Sequence, residues 1–166
     1  MLLQDLDRIA APTSTGDRGV HRVLVAFDGS DGAWAALDQA IGVAVSNHAR
    51  LTIAAVSEMP RCVWSFPGSM VAPQGFDEIQ RELDNDLRRC LAEARDEVPA
   101  AVEVDTVLLH GRPATELAAF AERGHYDLVV TGPRPTGLLR RLFGRSVTRA
   151  LLDHGHVSVL AVKAAA

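Results

Sequence analysis

Five short apolar runs, separated by stretches of helical periodicity, constrain this chain more than any other feature. Val23–Phe27, Leu51–Val56, Val102–Leu109, Tyr126–Thr131 and Val157–Lys163 read as strands. Gly32–His48, Phe76–Val98, Pro113–Arg123 and Ser146–Asp153 read as the helices between them. Crossovers of this length require parallel strands and right-handed connections. The expected class is α/β: a single doubly wound, five-stranded parallel sheet with helices on both faces.

Local signals refine that reading. Val23–Phe27 is continuously apolar, which suits a strand covered on both faces. Val102–Leu109 instead sets Glu103 and Asp105 between valines, which predicts an edge strand. Ser30 or Asp31 can cap the first helix, where Trp34, Leu37, Ile41 and Ala44 recur at helical spacing. In the second, Phe76, Ile79, Leu83, Leu87, Leu91 and Ala94 form the apolar stripe, and Asp77–Arg81 and Asp84–Arg88 are i,i+4 pairs. Pro113 suits the first turn of the third helix, whose inner face is Leu117, Phe120 and Ala121. Glu58–Gly75, with Pro60, Pro67 and Pro73, reads as a long loop, and residues 133–145 as a Gly/Pro/Arg-rich connection.

A chain of 166 residues that is 48% hydrophobic and 23% charged has enough apolar surface for one core. Its net charge of −4 excludes a general basic field for nucleic acid or an anionic membrane. The basic residues are arginines apart from Lys163, a bias spread along the whole chain. Cys62 and Cys90 match neither a disulfide framework nor a metal spacing, and read as two reduced thiols. Asp5 and Asp7 stand where a secretory signal would be basic, and no run approaches the ~20 apolar residues of a membrane helix. The expected location is cytoplasmic. Residues 1–20 read as a loose extension and 21–166 as the domain, with no internal repeat.

In doubly wound sheets ligands bind beyond the carboxyl ends of the strands, where the strand order reverses. Ala26, Phe27 and Asp28 on one side, and Thr131 and Gly132 on the other, are the expected walls. A carboxylate at Asp28 can accept from a ribose hydroxyl or a base amino group; an Asp there also serves as a turn or cap residue. Beyond Gly132 come Gly137, Gly144 and Ser146-Val147-Thr148, with Arg134, Arg140, Arg141, Arg145 and Arg149. Glycines admit phosphates close to the backbone, a helix N-terminus offers N–H groups, and arginine pairs with phosphate oxygens. The same stretch also reads as a solvated, arginine-rich surface loop.

Val23–Ser30 (VLVAFDGS), Gly111-Arg112-Pro113, Tyr126–Gly132 (YDLVVTG), Ser146-Val147-Thr148 and Val157–Val162 (VSVLAV), in that order, resemble the universal stress protein family from Arg22 to Lys163. The resemblance implies strand order 3-2-1-4-5 and a homodimer joined through the last strand, Val157–Val162. Part of that family binds ATP, so the resemblance also implies an ATP or other adenine nucleotide site; the residues themselves lead to no expected metal requirement. Asp28 matches the acid that contacts the nucleoside, Val56 the main-chain adenine contact, and Ser146, Val147 and Thr148 the triphosphate segment. The family's ATP motif runs glycine, two residues, glycine, nine residues, then glycine before Ser or Thr. Here Gly132 matches the first, but Pro135 and Arg145 replace the other two. Proline has no N–H and a fixed φ, so the phosphate half of the site is expected to be altered.

The expected function is a non-catalytic stress-response module. The alternatives are a dimeric interaction protein that binds no nucleotide, or a weak ATP hydrolase. Rival classes find less support. His110, His125, His154 and His156 accompany no nucleophile motif, and Asp153-His154-Gly155-His156 lacks further metal ligands. A phosphoacceptor receiver would need an aspartate where the third strand ends Leu108-Leu109-His110.

Overall fold

The computed structural model describes residues 19–58, 73–132, 149, 151–152 and 157–163. In chain order the elements are β1 (Arg22–Ala26), α1 (Asp31–Asn47), β2 (Arg50–Ser57), α2 (Pro73–Asp96), β3 (Val104–His110), α3 (Pro113–Arg123), β4 (Leu128–Thr131) and β5 (Ser158–Ala161). All strand pairs are parallel and the order is β3-β2-β1-β4-β5, as expected. β3 lies at one edge, where the charges of its alternating sequence meet solvent.

Two cores sandwich the sheet because alternate residues of each central strand face opposite ways. Val23, Val25, Leu51, Ile53 and Ala55 pack with Ala36, Leu37, Ala40 and Ala44 of α1 and Leu91 and Ala94 of α2. Leu24, Ala54, Val107, Leu109 and Val129 pack on the other face with Leu117, Phe120 and Ala121 of α3, together with Tyr126 and Leu151. Each fully buried Val or Leu contributes about 1.5–3 kcal/mol, so these two layers supply most of the driving force. Under the strand N-termini, the Arg22 guanidinium carbon stands 5.0 Å from the Tyr126 ring centroid, and the Tyr126 hydroxyl donates to Thr52 Oγ1 at 2.9 Å. Burial pushes the Tyr126 phenol's pKa up, against the lowering influence of Thr52 and Arg22.

Several boundaries differ from the sequence reading. α2 begins at Pro73 rather than Phe76, because proline's missing N–H costs nothing in a first turn, and this shortens the Glu58–Gly75 loop at its far end. Its buried stripe is also rotated. Ile79 is 39% exposed whereas Asp84 is only 8% exposed, so the face toward the sheet includes Asp84 with Leu91 and Ala94. α1 buries Ala33, Ala36, Leu37, Ala40 and Ala44, while Trp34 and Ile41 sit half-buried at its flanks; alanines let the helix approach the sheet closely. β4 starts at Leu128, because the Tyr126 N–H is still bonded to Ala121 O at the end of α3. β3 starts at Val104 and β5 is confined to Ser158–Ala161. The expected helix Ser146–Asp153 falls largely outside the described residues, as do residues 1–18, 59–72 and 133–148; Leu151 and Leu152 are helical.

Candidate functional site

The turn leaving β1 is built from its own side chains. Phe27 is buried, its ring edge-on to Trp34 at 5.0 Å between centroids, and its N–H donates to Ala54 O at 2.8 Å. Gly29 follows with φ 77°, a value side-chain-bearing residues rarely adopt. Asp28 is exposed, and its Oδ1 accepts from the Ser30 N–H (3.0 Å) and the Ser30 hydroxyl (2.6 Å). Ser30 Oγ in turn accepts from the Ala33 N–H at 3.2 Å, which makes Ser30 the N-cap of α1. Asp28 thus serves the turn through one oxygen. Its Oδ2 has no hydrogen-bond partner among the described residues.

β2 outlasts β1, and hydrogen-bond parity decides what its end offers. Arg50 N–H donates to His21 O and Ala54 O accepts from Phe27, so the even-numbered residues turn their main-chain groups toward β1. Leu51 N–H donates to Glu103 O and Ser57 O accepts from Gly111, so the odd-numbered ones turn toward β3. Pairing with β1 ends at Ala26↔Ala54, whereas pairing with β3 runs on to Ser57↔His110. Val56 therefore aims its N–H and C=O past the end of β1, where no described residue pairs with them. A donor and an acceptor stand side by side at the mouth of the crevice.

The opposite wall is close. β1 and β4 pair through Ala26↔Thr131, and Thr131 is buried. A Cβ placed on Gly132 would lie 2.3 Å from Gly32 O and 3.0 Å from Ala33 N, so the first turn of α1 leans directly over the end of β4. Gly132 is glycine because of that approach. The strand order reverses here: α1, leaving β1, covers one face, and Leu151, on the way to β5, packs on the other.

A polar cluster that the sequence reading missed lies one strand further out, at the ends of β2 and β3. Gln80 Nε2 of α2 donates both to Asp84 Oδ1 (2.8 Å) and to Ser57 Oγ, so the amide gathers the Ser57 hydroxyl beside the Asp84 carboxylate. His110 Nε2 lies 2.8 Å from Asp84 Oδ2, and Arg88 stands 3.7 Å from the same oxygen. Burial pushes the Asp84 carboxyl pKa up, but the bonds from Ser57, His110 and Gln80 outweigh it and hold the group at about 2. An ionised carboxylate only accepts, so His110 Nε2 carries the hydrogen and Nδ1 is left as the imidazole's second site. The available signal was the spacing Gln80, Asp84, Leu87, Leu91, Ala94, itself a helical stripe beside the one read from apolar residues alone.

The expected walls Ala26, Phe27, Asp28, Val56, Thr131 and Gly132 are thus gathered at one end of the sheet. Arg134, Arg145, Ser146, Val147 and Thr148 lie outside the described residues, as does Cys62. Cys90 is a free thiol, its Sγ 3.6 Å from the position a Cβ on Gly29 would take. Among the described residues no three His, Cys, Asp or Glu side chains are grouped to hold a metal, and no helix is long and apolar enough to cross a membrane.

Comparison with known proteins places this architecture. A sequence model of the universal stress protein family matches residues 19–163. Universal stress protein YxiE of Bacillus subtilis is 30% identical over 146 residues, covering 86% of this chain and 99% of its own. The solved structure of a universal stress protein in complex with cAMP superimposes with a TM-score of 0.61 at 26% identity, over 87% of this chain and 98% of that one. An Arabidopsis thaliana universal stress protein with AMP bound shares the fold, with a TM-score of 0.63 at 16% identity over 88% of this chain and 93% of that one. The match runs through nearly every described strand and helix, and the chain belongs to the universal stress protein family.

Proposed function

We propose that this chain is a non-catalytic stress-response module that takes up an adenine nucleotide at the crevice between β1, β2 and β4. The observation that carries this reading is the main-chain edge of Val56, aimed past the end of β1. A side-by-side donor and acceptor complement adenine, whose Watson–Crick edge places the N1 acceptor beside the N6 donor. Guanine presents the reverse order. Asp28, exposed just past the end of β1 and bonded to Ser30 through Oδ1, keeps Oδ2 as an acceptor for a ribose hydroxyl. The relative solved with cAMP, at 26% identity, supports a nucleoside ligand for this fold.

The phosphate side differs from the family motif, with Pro135 and Arg145 at two of its glycine positions. The nucleoside half therefore carries the recognition, and AMP or cyclic AMP competes well with ATP. Calorimetry with ATP, ADP, AMP and cyclic AMP tests this. Saturable heat from at least one of them is expected; silence at millimolar concentration, with no thermal shift, would leave an interaction protein.

A second copy is the partner this reading includes. Among the described residues β5 pairs with β4 alone, and its Ser158, Leu160 and Ala161 are exposed. An apolar edge strand left open in this way invites pairing with another chain.

A further inference from the structure

We infer that Asp84 is a positioning residue for base recognition, holding the end of β2 so that the Val56 main chain stays aligned with the nucleobase. The inference rests on the adenine-binding reading above and adds how discrimination is maintained. Among the described residues, β2 beyond Ala54 is paired on one side only, by the β3 ladder that closes at Ser57↔His110 and the Gly111 N–H to Ser57 O bond of 3.0 Å. Such a strand end frays unless side chains tie it down. Ser57, the residue after Val56, is 2% exposed, and its hydroxyl oxygen accepts from Gln80 Nε2, the same amide that donates to Asp84 Oδ1 at 2.8 Å. The same carboxylate takes His110 Nε2, fastening the end of β3 that supports β2. One buried anion thus secures both strand ends to α2.

The position of the tie matters more than its strength. Ser57 and Val56 are consecutive in an extended strand, so their side chains point to opposite faces while their main-chain groups point to opposite neighbours. Ser57 is anchored toward β3 and α2, and this leaves the Val56 N–H and C=O rigidly presented on the open side. Without the anchor the two groups still exist, but they sample orientations in which only one meets the base. Their preference for adenine's order of acceptor and donor then falls, because discrimination depends on both bonds forming at once.

The test compares AMP with GMP by calorimetry on the full chain, in the native sequence and in Asp84→Ala and Ser57→Ala. The native protein is expected to prefer AMP. Each variant that gives a cooperative melt should bind AMP roughly tenfold more weakly, about the worth of one hydrogen bond, and lose most of the AMP-over-GMP ratio. A purely structural role would lower the melting temperature and leave that ratio unchanged in the folded protein. Should Asp84→Ala fail to fold, Ser57→Ala decides, since it removes one hydroxyl. An unchanged ratio in the folded variants overturns the inference, as does native binding without base preference, while nucleotide uptake stands. A native protein silent to every adenine nucleotide overturns the function proposed above as well.

Discussion

His110 and Asp84 meet with 2.8 Å between Nε2 and Oδ2, joining the end of an edge strand to a buried carboxylate on the neighbouring helix. Although burial disfavours a carboxylate in the layer between helix and sheet, Ser57, His110 and Gln80 outweigh that cost here. Their combined pull sets the sign of its titration, and several outcomes depend on it or on the crevice beside it.

Acid sensitivity comes first. The Asp84 carboxyl is lowered from 3.8 to about 2, so folding favours its ionised form. Its contribution is complete above pH ~4 and is lost as the pH falls toward 2, a total of about 2 kcal/mol. Asp84→Asn should lose about that much stability at pH 7 in urea unfolding. Between pH 4 and 2 the gap to the native protein should narrow; a gap that stays constant would show that another group carries the dependence.

Gly132 and Gly42 should respond oppositely to alanine. At Gly132 the new Cβ meets the Gly32 carbonyl oxygen at 2.3 Å, so α1 must move, at a cost of about 1–3 kcal/mol. At Gly42, inside α1, nothing lies within 4 Å of the new carbon, and a gain of about 0.5–1 kcal/mol is expected from the restricted unfolded chain. Thermal melts of the two variants moving in the same direction would contradict this account.

Ser30→Ala removes both the N-cap of α1 and the hydroxyl that engages Asp28 Oδ1. Stability should drop by about 1 kcal/mol. Asp28→Asn, which keeps an acceptor for the turn, should cost less stability but weaken adenine nucleotide uptake. Equal affinity in native and Asp28→Asn protein would remove Asp28 from the site.

Arg145→Gly restores a glycine at a position the family motif assigns to one. ATP affinity is expected to rise relative to AMP, because the added space serves only the outer phosphates. If the ATP-to-AMP ratio falls instead, Arg145 grips phosphate by charge.

Leu160 is 36% exposed on the outermost strand, and a lysine there sets like charges against one another wherever two copies pair. Sedimentation velocity should report a dimer for the native chain and a monomer for Leu160→Lys. A native monomer at tens of micromolar would end the pairing proposal.

The scaffold was legible because hydrophobic periodicity is a local property. Val23–Phe27 and the alternation of Val102–Leu109 disclosed a central and an edge strand before any contact was known. The turn at Asp28-Gly29-Ser30 could be read as a turn, but not that one Asp28 oxygen would be consumed by Ser30.

The order of apolar runs in the chain by itself determined the layered α/β architecture, because each run must bury its faces and parallel strands need covered crossovers. Only tertiary structure decided that Asp84, in sequence one half of an i,i+4 pair with Arg88, faces His110 and the Gln80–Ser57 link. A shift of one position around a helix moves a side chain by ~100°, and apolar spacing alone tolerates that error. Tertiary structure also decided that Val56 offers its main chain to the crevice, since this depends on where a different strand, β1, stops pairing.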